Sequence, residues 1–418
     1  MSKQAKDLRG KTILFGVTGG IATYKAVDVV SRLRKRGAEV HVIMTQAARE
    51  FVTPLTFRTI SSNPVYTDMF KEPQQWNPEH IALAERGDLL AVVPATANVF
   101  AKAANGIADD NLSTLISAFP GRKFFAPAMN HHMWCNPATR DNVKTLRQRD
   151  AFVMEPDEGR LASGAVGKGR LPSPQQVTEE ISSAFYADDV IKGYTVTVTA
   201  GPTREYFDPV RFISNPSSGK MGYSMARAAR ERGAQVYLIS GPTKLQPPRD
   251  VNFISVESAE QMMDACKDVW ADTDILVKTA AVCDYQPTKT ASTKIHKTDA
   301  TRERLPDLQR APDILKALGQ CKGSRVLVGF AAETDESDAV DNARKKLRAK
   351  NLDAVVLNVV DEEIGFGSDD NSCFLITPGS CDQLDRMHKL SLARLIVDEL
   401  VCKIRNCPEV RSSDNKKG

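Results

Sequence analysis

The chain has 418 residues, 42% hydrophobic and 26% charged, with 56 Lys+Arg against 52 Asp+Glu for a formal net charge of +4. That length suits about two or three domains, and so even a charge balance gives no reason to invoke a nucleic-acid or membrane partner. The eight cysteines form no CxxC pair, so their spacing fits neither a disulfide framework nor a zinc site and implies a reducing, cytoplasmic setting. The first ten residues are polar, and no apolar run reaches the roughly 18 residues of a membrane span.

In chain order, the first half offers apolar runs at 12–16, 39–45, 89–95 and 123–128, with helix-like segments such as 26–36 between them. This βαβ rhythm predicts an α/β, doubly wound parallel sheet. The first strand runs into Gly16-Val17-Thr18-Gly19-Gly20 before a helix. That is a phosphate-cradle layout without being GxGxxG, and a plain structural turn reads equally well. Glu79-His80 opens a helix, where His80 is either a titratable group near a crevice or a surface cap. Pro94-Ala95-Thr96-Ala97-Asn98 closes the third strand and Pro127-Ala128-Met129-Asn130 the fourth, both at the strand ends where α/β sheets bind ligands. His131 and His132 follow; adjacent side chains on a strand would point apart, which argues against a metal there.

Residues 182–193 read as a connector. A second βαβ series follows at 195–200, 235–240, 274–282, 325–331 and 354–359. Its first strand leads through a loop over 199–222 to a helix, a span of about twenty residues where a βα turn needs only a few. Ser217, Ser218, Gly219 and Gly222 sit at that helix start, where free N–H groups and the dipole suit a phosphate, unless they only cap the turn. Arg34-Lys35-Arg36-Gly37-Ala38 is echoed by Arg230-Glu231-Arg232-Gly233-Ala234, each a helix end with a terminating glycine. The expected domains are 1–186 and 191–405, with a disordered tail at 406–418.

The first half resembles the flavin-dependent cysteine decarboxylases through His80, the Pro-Ala-Met-Asn-x-x-Met-Trp motif at 127–134 and a Gly-rich clamp at 159–171. The second resembles phosphopantothenate-cysteine ligase through the 199–222 loop, Ala-Ala-Val-Cys-Asp-Tyr at 280–285, Lys-Ile-His-Lys at 294–297, Pro-Asp-Ile-Leu at 312–315, Gly-Phe-Ala-Ala-Glu-Thr at 329–334 and Phe-Gly-Ser at 366–368. Together they follow the order of the bifunctional phosphopantothenoylcysteine decarboxylase/phosphopantothenate-cysteine ligase family of coenzyme A synthesis.

The resemblance implies a flavodoxin-like FMN-binding domain followed by a Rossmann-like ligase domain. In the ligase, CTP activates the carboxylate of 4'-phosphopantothenate as an acyl-cytidylate that the cysteine amine attacks. Charge accumulates on phosphates, so lysines and Mg2+, whose ligands stay unknown, are what the reaction needs. Lys294 takes the catalytic place. Asp284, Pro312, Asp313, Ile314, Leu315 and Phe330 hold the nucleotide with Lys294, Lys346 and Lys350, and Asn215 contacts the acyl intermediate. Lys346 and Lys350, four apart on one helix face, would aim at one anion, although a solvated basic face is the usual meaning of such spacing. His296 replaces a family lysine.

In the decarboxylase, Gly19, Gly20, Thr45, Ala95, Thr96 and Asn98 would contact FMN, His80 would serve as acid/base and Asn130 would hold the substrate carboxylate. Ser163 stands where the family has a proton-donating clamp cysteine, and a hydroxyl is a far weaker acid than a thiol. Two alternatives therefore stay open: an oxidative decarboxylase that stops at the enethiol, or a flavin-binding scaffold without chemistry. The family also implies a homo-oligomer, with a trimeric flavoprotein core and dimeric ligase domains.

Overall fold

The structure, a computed structural model, describes residues 8–67, 79–160, 164, 166–295, 307–333, 336–359 and 368–406. Ser163, His296 and residues 407–418 of the expected tail lie outside them. The chain divides into two compact units, 1–186 and 187–418.

The first unit holds a parallel sheet in the order β3-β2-β1-β4-β5-β6. Its strands are β1 (Thr12–Val17), β2 (Glu39–Met44), β3 (Val65–Tyr66), β4 (Leu89–Ala95), β5 (Arg122–Pro127) and β6 (Phe152–Val153). The central strands are near-continuous apolar runs because helices cover both faces. Ile13, Phe15 and Val17 join the cluster under α1 (Thr23–Lys35), while Leu14 joins the opposite one. In α1, Ala26, Val29, Val30 and Leu33 form the buried stripe, and Gly37 ends the turn at φ +94°. The second face is covered by α3 (Glu79–Arg86), α4 (Ala97–Asn105), α5 (Asn111–Ala118) and α7 (Pro137–Gln148), and α2 (Pro54–Ser61) lies beside α1. Gly16 lets α5 approach, since a Cβ there would lie 2.6 Å from Leu112 Cδ1. The short α6 (His131–Cys135), the hairpin β7 (Asp157–Arg160) and β8 (Val166–Arg170), and α8 (Pro174–Ala184) complete the unit.

The second unit has an eight-stranded sheet ordered β13-β12-β9-β14-β17-β18-β19-β20. Here β9 is Thr195–Ala200, β12 Gln235–Ser240, β13 Asn252–Ser255, β14 Ile275–Lys278, β17 Val326–Glu333 and β18 Ala354–Val359, all parallel. Both sheets are thus doubly wound α/β, as the periodicity predicts. The sequence reading did not anticipate β19 (Asp370–Ile376) and β20 (Cys381–His388), which close this sheet as an antiparallel pair. The helices α9 (Lys220–Glu231) and α13 (Lys389–Asn406) pack on one face, and α10 (Ala259–Asp268), α11 (Ile314–Gln320) and α12 (Glu336–Ala349) on the other. Gly233 has φ +88°, matching Gly37, so the echoed motif is the same helix ending used twice.

Candidate active sites

In the first unit, the chain leaves β1 and β4 in opposite directions, so their C-terminal ends open a crevice. A cavity of about 1330 Å³ occupies it, lined by Thr18, Gly19 and Gly20 after β1, Thr45 after β2, Thr96 and Asn98 after β4, and Ala128, Met129 and Asn130 after β5. Of the residues expected to meet a flavin, only Ala95 does not line this cavity, being fully buried in β4. Gly20 faces the open space, since the nearest atom to a Cβ there is Thr96 Cγ2 at 3.7 Å. Gly19 differs: a Cβ would lie 2.4 Å from Ala47 Cβ and 2.8 Å from Ala47 C. Packing against the turn after β2 by itself excludes a side chain at Gly19. Neither α1, beginning after Ala22, nor α4, beginning after Thr96, has a side-chain cap. Two helix N-termini with amide donors therefore open near the cavity, an arrangement that suits the phosphate of FMN.

Asn130 caps α6 by accepting a hydrogen bond from the His132 N–H at 2.9 Å, which orients its amide at the cavity wall. His131 and His132 begin this helix and do not lie on a strand as the sequence reading assumed. His131 Nδ1 accepts from the Lys168 N–H at 3.1 Å, and the Met129 N–H donates to Gly169 O at 3.0 Å. The β7–β8 clamp is thereby fastened to the end of β5. Gly169 permits this contact, as a Cβ there would fall 2.4 Å from Met129 O. His80 lies in the first turn of α3, and its side chain is outside the described residues. Sequence reasoning missed the basic lining of the cavity: Lys25, Lys102, Arg160 and Arg170. Burial and the nearby Arg170 charge lower the Lys25 pKa. Lys25 is the second residue of α1's helical register after Thr23 and could have been flagged by its place beside the glycine turn.

In the second unit the corresponding crevice lies between the ends of β9 and β14. The long 199–222 connection is not a bare loop: β10 (Arg204–Tyr206) and β11 (Phe212–Ser214) pair within it as an antiparallel hairpin. Asp208, fully buried at its tip, accepts hydrogen bonds at Oδ1 from the Val210 and Arg211 N–H groups at 2.8 and 2.9 Å. Its Oδ2 accepts from the Ile295 N–H at 3.2 Å. Burial would raise the Asp208 pKa, but these backbone donors and Arg211 outweigh it and hold the carboxyl below the usual carboxylate range. One carboxylate thus ties the hairpin to the residue after Lys294, itself exposed. Asn215 donates from Nδ2 to Val282 O at 3.0 Å, joining the two crevice walls. The Ser217 hydroxyl accepts from the Gly219 N–H at 3.3 Å where α9 begins. Gly222 serves packing, because a Cβ there would lie 2.4 Å from Thr279 Oγ1.

The expected nucleotide residues gather beside this crevice. Asp284 ends the loop after β14, and its carbonyl accepts from the Ala311 N–H at 2.9 Å, just before Pro312 and Asp313. There β15 (Tyr285–Pro287) pairs with β16 (Leu308–Arg310). Asp313 caps α11 through the Lys316 N–H and pairs with Lys350 Nζ at 2.7 Å. Ile314 and Leu315 are buried in the core. Lys346 Nζ donates to Phe330 O at 3.1 Å. The Lys346 and Lys350 ammonium groups lie close enough for the Lys350 charge to act on Lys346 and for both to act on Lys278, although only Lys346 belongs to the helix. Lys350 lies one residue beyond α12, and the two ammonium groups meet different protein partners. Sequence reasoning also missed Lys278, half-buried at the end of β14. It sits in an apolar strand run, and that run was its only signal. Among the described residues, no group of three His, Cys, Asp or Glu side chains could hold a metal.

Residues 1–185 match the Flavoprotein family, and residues 191–403 match the DNA/pantothenate metabolism flavoprotein C-terminal domain. The chain is 45% identical over 399 residues to the coenzyme A biosynthesis bifunctional protein CoaBC of Bacillus subtilis (strain 168), covering 94% of this chain and 97% of that protein. With the protein of the same name from Vibrio vulnificus (strain YJ016) it shares 41% identity over 397 residues, 94% of this chain and 98% of the relative. A crystal structure of the C-terminal domain of a coenzyme A biosynthesis bifunctional protein CoaBC, 37% identical, aligns with 53% of this chain and 100% of that one at a TM-score of 0.45.

Proposed function

Since the chain belongs to the family of bifunctional coenzyme A biosynthesis proteins, with a ligase and a decarboxylase half, we propose the following assignment of its two units. The second uses CTP to join cysteine to 4'-phosphopantothenate, releasing CMP and pyrophosphate through an acyl-cytidylate. The first, holding FMN, removes CO2 from the product and yields 4'-phosphopantetheine. The observation that carries this reading is that whole-length relatives align over 94% of the chain, both halves included. That continuity favours the complete pair of reactions over a first half that stops at the enethiol or serves as a scaffold.

In the ligase, the carboxylate attacks the α-phosphorus of CTP, and Lys294 neutralises the charge that builds there. The cysteine amine then attacks the acyl carbon and CMP leaves. Asn215 positions the acyl intermediate, and Asp284, Phe330 and the turn from Pro312 to Leu315 hold the nucleotide. Mg2+ would be bound chiefly by triphosphate oxygens, as is common where a protein offers no dedicated cage.

In the decarboxylase, bound FMN supplies a hydride acceptor and donor. Gly20, Thr45, Thr96 and Asn98 line the cavity that would seat it, and the α1 and α4 termini would hold its phosphate. The Asn130 NH2 is the end of the amide that can donate to the substrate carboxylate, a neutral contact that does not clamp a charge due to leave as CO2. His80 moves the proton, and Ser163 in the clamp would complete the site. The cavity mouth carries the exposed apolar residues Ile21, Tyr24 and Met133, which supports self-association of the flavoprotein halves, with the trimer taken from the family resemblance. Dimeric ligase halves and a cytoplasmic location complete the proposal. No helix among the described residues is long and apolar enough to cross a membrane.

The test is one assay with cysteine, CTP and 4'-phosphopantothenate, read by product mass. The reading requires CMP, pyrophosphate and 4'-phosphopantetheine; accumulation of the cysteine adduct or of a product two hydrogens short of 4'-phosphopantetheine would refute the decarboxylase assignment. Lys294→Gln should lower ligation by about a hundredfold or more, for a loss of about 2 to 4 kcal/mol in transition-state stabilisation, while bound flavin is unchanged. Near-normal turnover would remove Lys294 from the mechanism.

A further inference from the structure

Besides the cavity assigned to the flavin, the first unit holds a groove of about 740 Å³ whose walls include Trp134, Arg140, Lys144, Arg147, Glu155 and Lys168. Arg140, Lys144 and Arg147 stand at i, i+4 and i+7 of α7 and so share one face of that helix. Lys168 comes from β8 of the clamp. Four cations thus meet one carboxylate in the lining, and both oxygens of that carboxylate are engaged: Glu155 Oε1 accepts from Arg147 Nη2 and Oε2 pairs with Lys168 Nζ, each at 2.7 Å. Burial would raise the Glu155 pKa, but these two cations outweigh it and hold the carboxyl below the usual carboxylate range. Arg147 Nη2 also donates to Val153 O at 3.0 Å, which fixes the guanidinium at the groove wall. Arg140 Nη2 lies 3.9 Å from Cys135 Sγ, and neither Arg140 nor Lys144 has a carboxylate partner among the described residues. The groove shares its walls with the flavin cavity. In α6, Met133 lines the cavity and Trp134 the groove; in β8, Gly169 lines the cavity and Lys168 the groove.

We propose that this groove is a second anion site of the first unit, taking a phosphate group of two or more negative charges between Arg140 and Lys144 on one side and the Arg147–Glu155–Lys168 ion pairs on the other. Basic residues at helical spacing on a convex face are usually just solvated. Here they converge on a concave surface of the size of small-molecule sites, where the field of clustered charges is focused. The guanidinium of Arg140 offers paired donors that match phosphate oxygens, and Lys144 adds a point charge one turn away. Because Glu155 is shared between Arg147 and Lys168, it opposes an incoming anion while leaving Arg140 and Lys144 uncompensated. Two sources could supply this chemistry. One is pyrophosphate, the product of the ligase reaction. The other is the 4'-phosphate end of the decarboxylase substrate, whose carboxylate end belongs at Asn130, the cap of the α6 wall; this second source rests on the decarboxylase reading above.

The test is equilibrium dialysis of the full-length flavoprotein against labelled pyrophosphate, comparing wild type with the double variant Arg140→Gln, Lys144→Gln and with Glu155→Gln. Pyrophosphate sites elsewhere in the chain are common to all three proteins and cancel in the comparison. The double variant should lose about tenfold in affinity at the groove. Glu155→Gln, which removes the opposing carboxylate, should bind more tightly than wild type, a gain that mere damage to the fold would not produce. Flavin content and the melting curve check that each variant is folded. Decarboxylation of 4'-phosphopantothenoylcysteine and of its analogue without the phosphate then separates the sources. If the substrate's own phosphate occupies the groove, the double variant raises KM about tenfold for the phosphorylated substrate alone, with kcat unchanged. If a free anion is the occupant, both KM values stay as in wild type while pyrophosphate affinity falls. Equal pyrophosphate affinity in all three proteins, together with equal KM values, would overturn this inference alone. A wild-type protein that decarboxylates neither substrate would overturn the decarboxylase reading, and the dialysis would still decide the groove.

Discussion

Gly19 and Gly20 are adjacent, yet the structure assigns them opposite reasons for lacking a side chain, and that contrast makes the flavin assignment testable. Gly19→Val introduces a Cβ 2.4 Å from Ala47 Cβ, 2.8 Å from Ala47 C and 2.9 Å from Ala47 O. Ordinary carbon contacts begin near 3.5 Å, so either the turn after β1 or the turn after β2 must retreat by about 1 Å. A hydrogen bond stretched by that much is lost. Two charge-assisted bonds to a phosphate, at about 1.5 to 3 kcal/mol each, correspond to a weakening of FMN binding by roughly two orders of magnitude or more. Gly20→Ala, in contrast, meets only Thr96 Cγ2 at 3.7 Å. It leaves the empty protein undisturbed, and any loss of flavin it causes must come from the ligand itself. The assay is the flavin-to-protein absorbance ratio of each purified variant, followed by titration with free FMN. The expectation is that Gly19→Val is colourless with a normal ligase half and that Gly20→Ala melts as wild type but binds FMN more weakly. A Gly19→Val protein retaining stoichiometric flavin would refute the placement.

Three other outcomes follow from the second unit. Glu231 is buried and accepts from Arg394 Nε and Nη2 at 2.6 and 2.9 Å, with Arg227 Nε at 3.4 Å. Glu231→Gln should therefore cost about 3 to 5 kcal/mol, read as a loss in the calorimetric transition of this unit, and a loss below about 1 kcal/mol would contradict the burial argument. For Lys278, the native pKa of about 8 lies below the ordinary 10.5, so the unfolded state binds more protons between those values and ligand-free stability rises with pH across that window. Lys278→Met should accordingly be more stable than wild type at pH 7 by up to roughly 3 kcal/mol, the gap closing by pH 10 in urea titrations; a pH-independent gap would exclude the linkage. Asp208→Asn replaces an acceptor with a donor against one of its backbone partners, and ligation should fall by roughly tenfold at unchanged flavin content. Equal rates in both proteins would mean that the hairpin does not order the Lys294 segment.

The strand pattern made the fold legible because parallel strands covered on both faces must be largely apolar, and the runs at 12–16, 89–95 and 354–359 left little else for those residues to do. The two terminating glycines, Gly37 and Gly233, were equally plain. The β19–β20 pair was not, since β20 is an exposed edge strand with polar residues at most positions and carries no period-two signal. Gly19 and Gly222 also admit Ala47 and Thr279, a packing requirement that only through-space neighbours reveal. Lys278 was hidden as well. A lone lysine ending an apolar run reads as a strand boundary until the helices that roof it are seen to bring two more lysines to the same place.

The single carboxylate of Asp208 has a thermodynamic consequence. It holds the hairpin that leads to Asn215 and, through the Ile295 N–H, the segment that carries Lys294. A reactant that orders either segment therefore lowers the entropic cost of ordering the other. Linkage makes that advantage mutual, so whatever factor 4'-phosphopantothenate contributes to CTP affinity, CTP must return to 4'-phosphopantothenate. With the roles proposed for Asn215 and Lys294, this coupling would favour acyl transfer over hydrolysis of CTP alone, because both reactants would act on segments held by the same carboxylate.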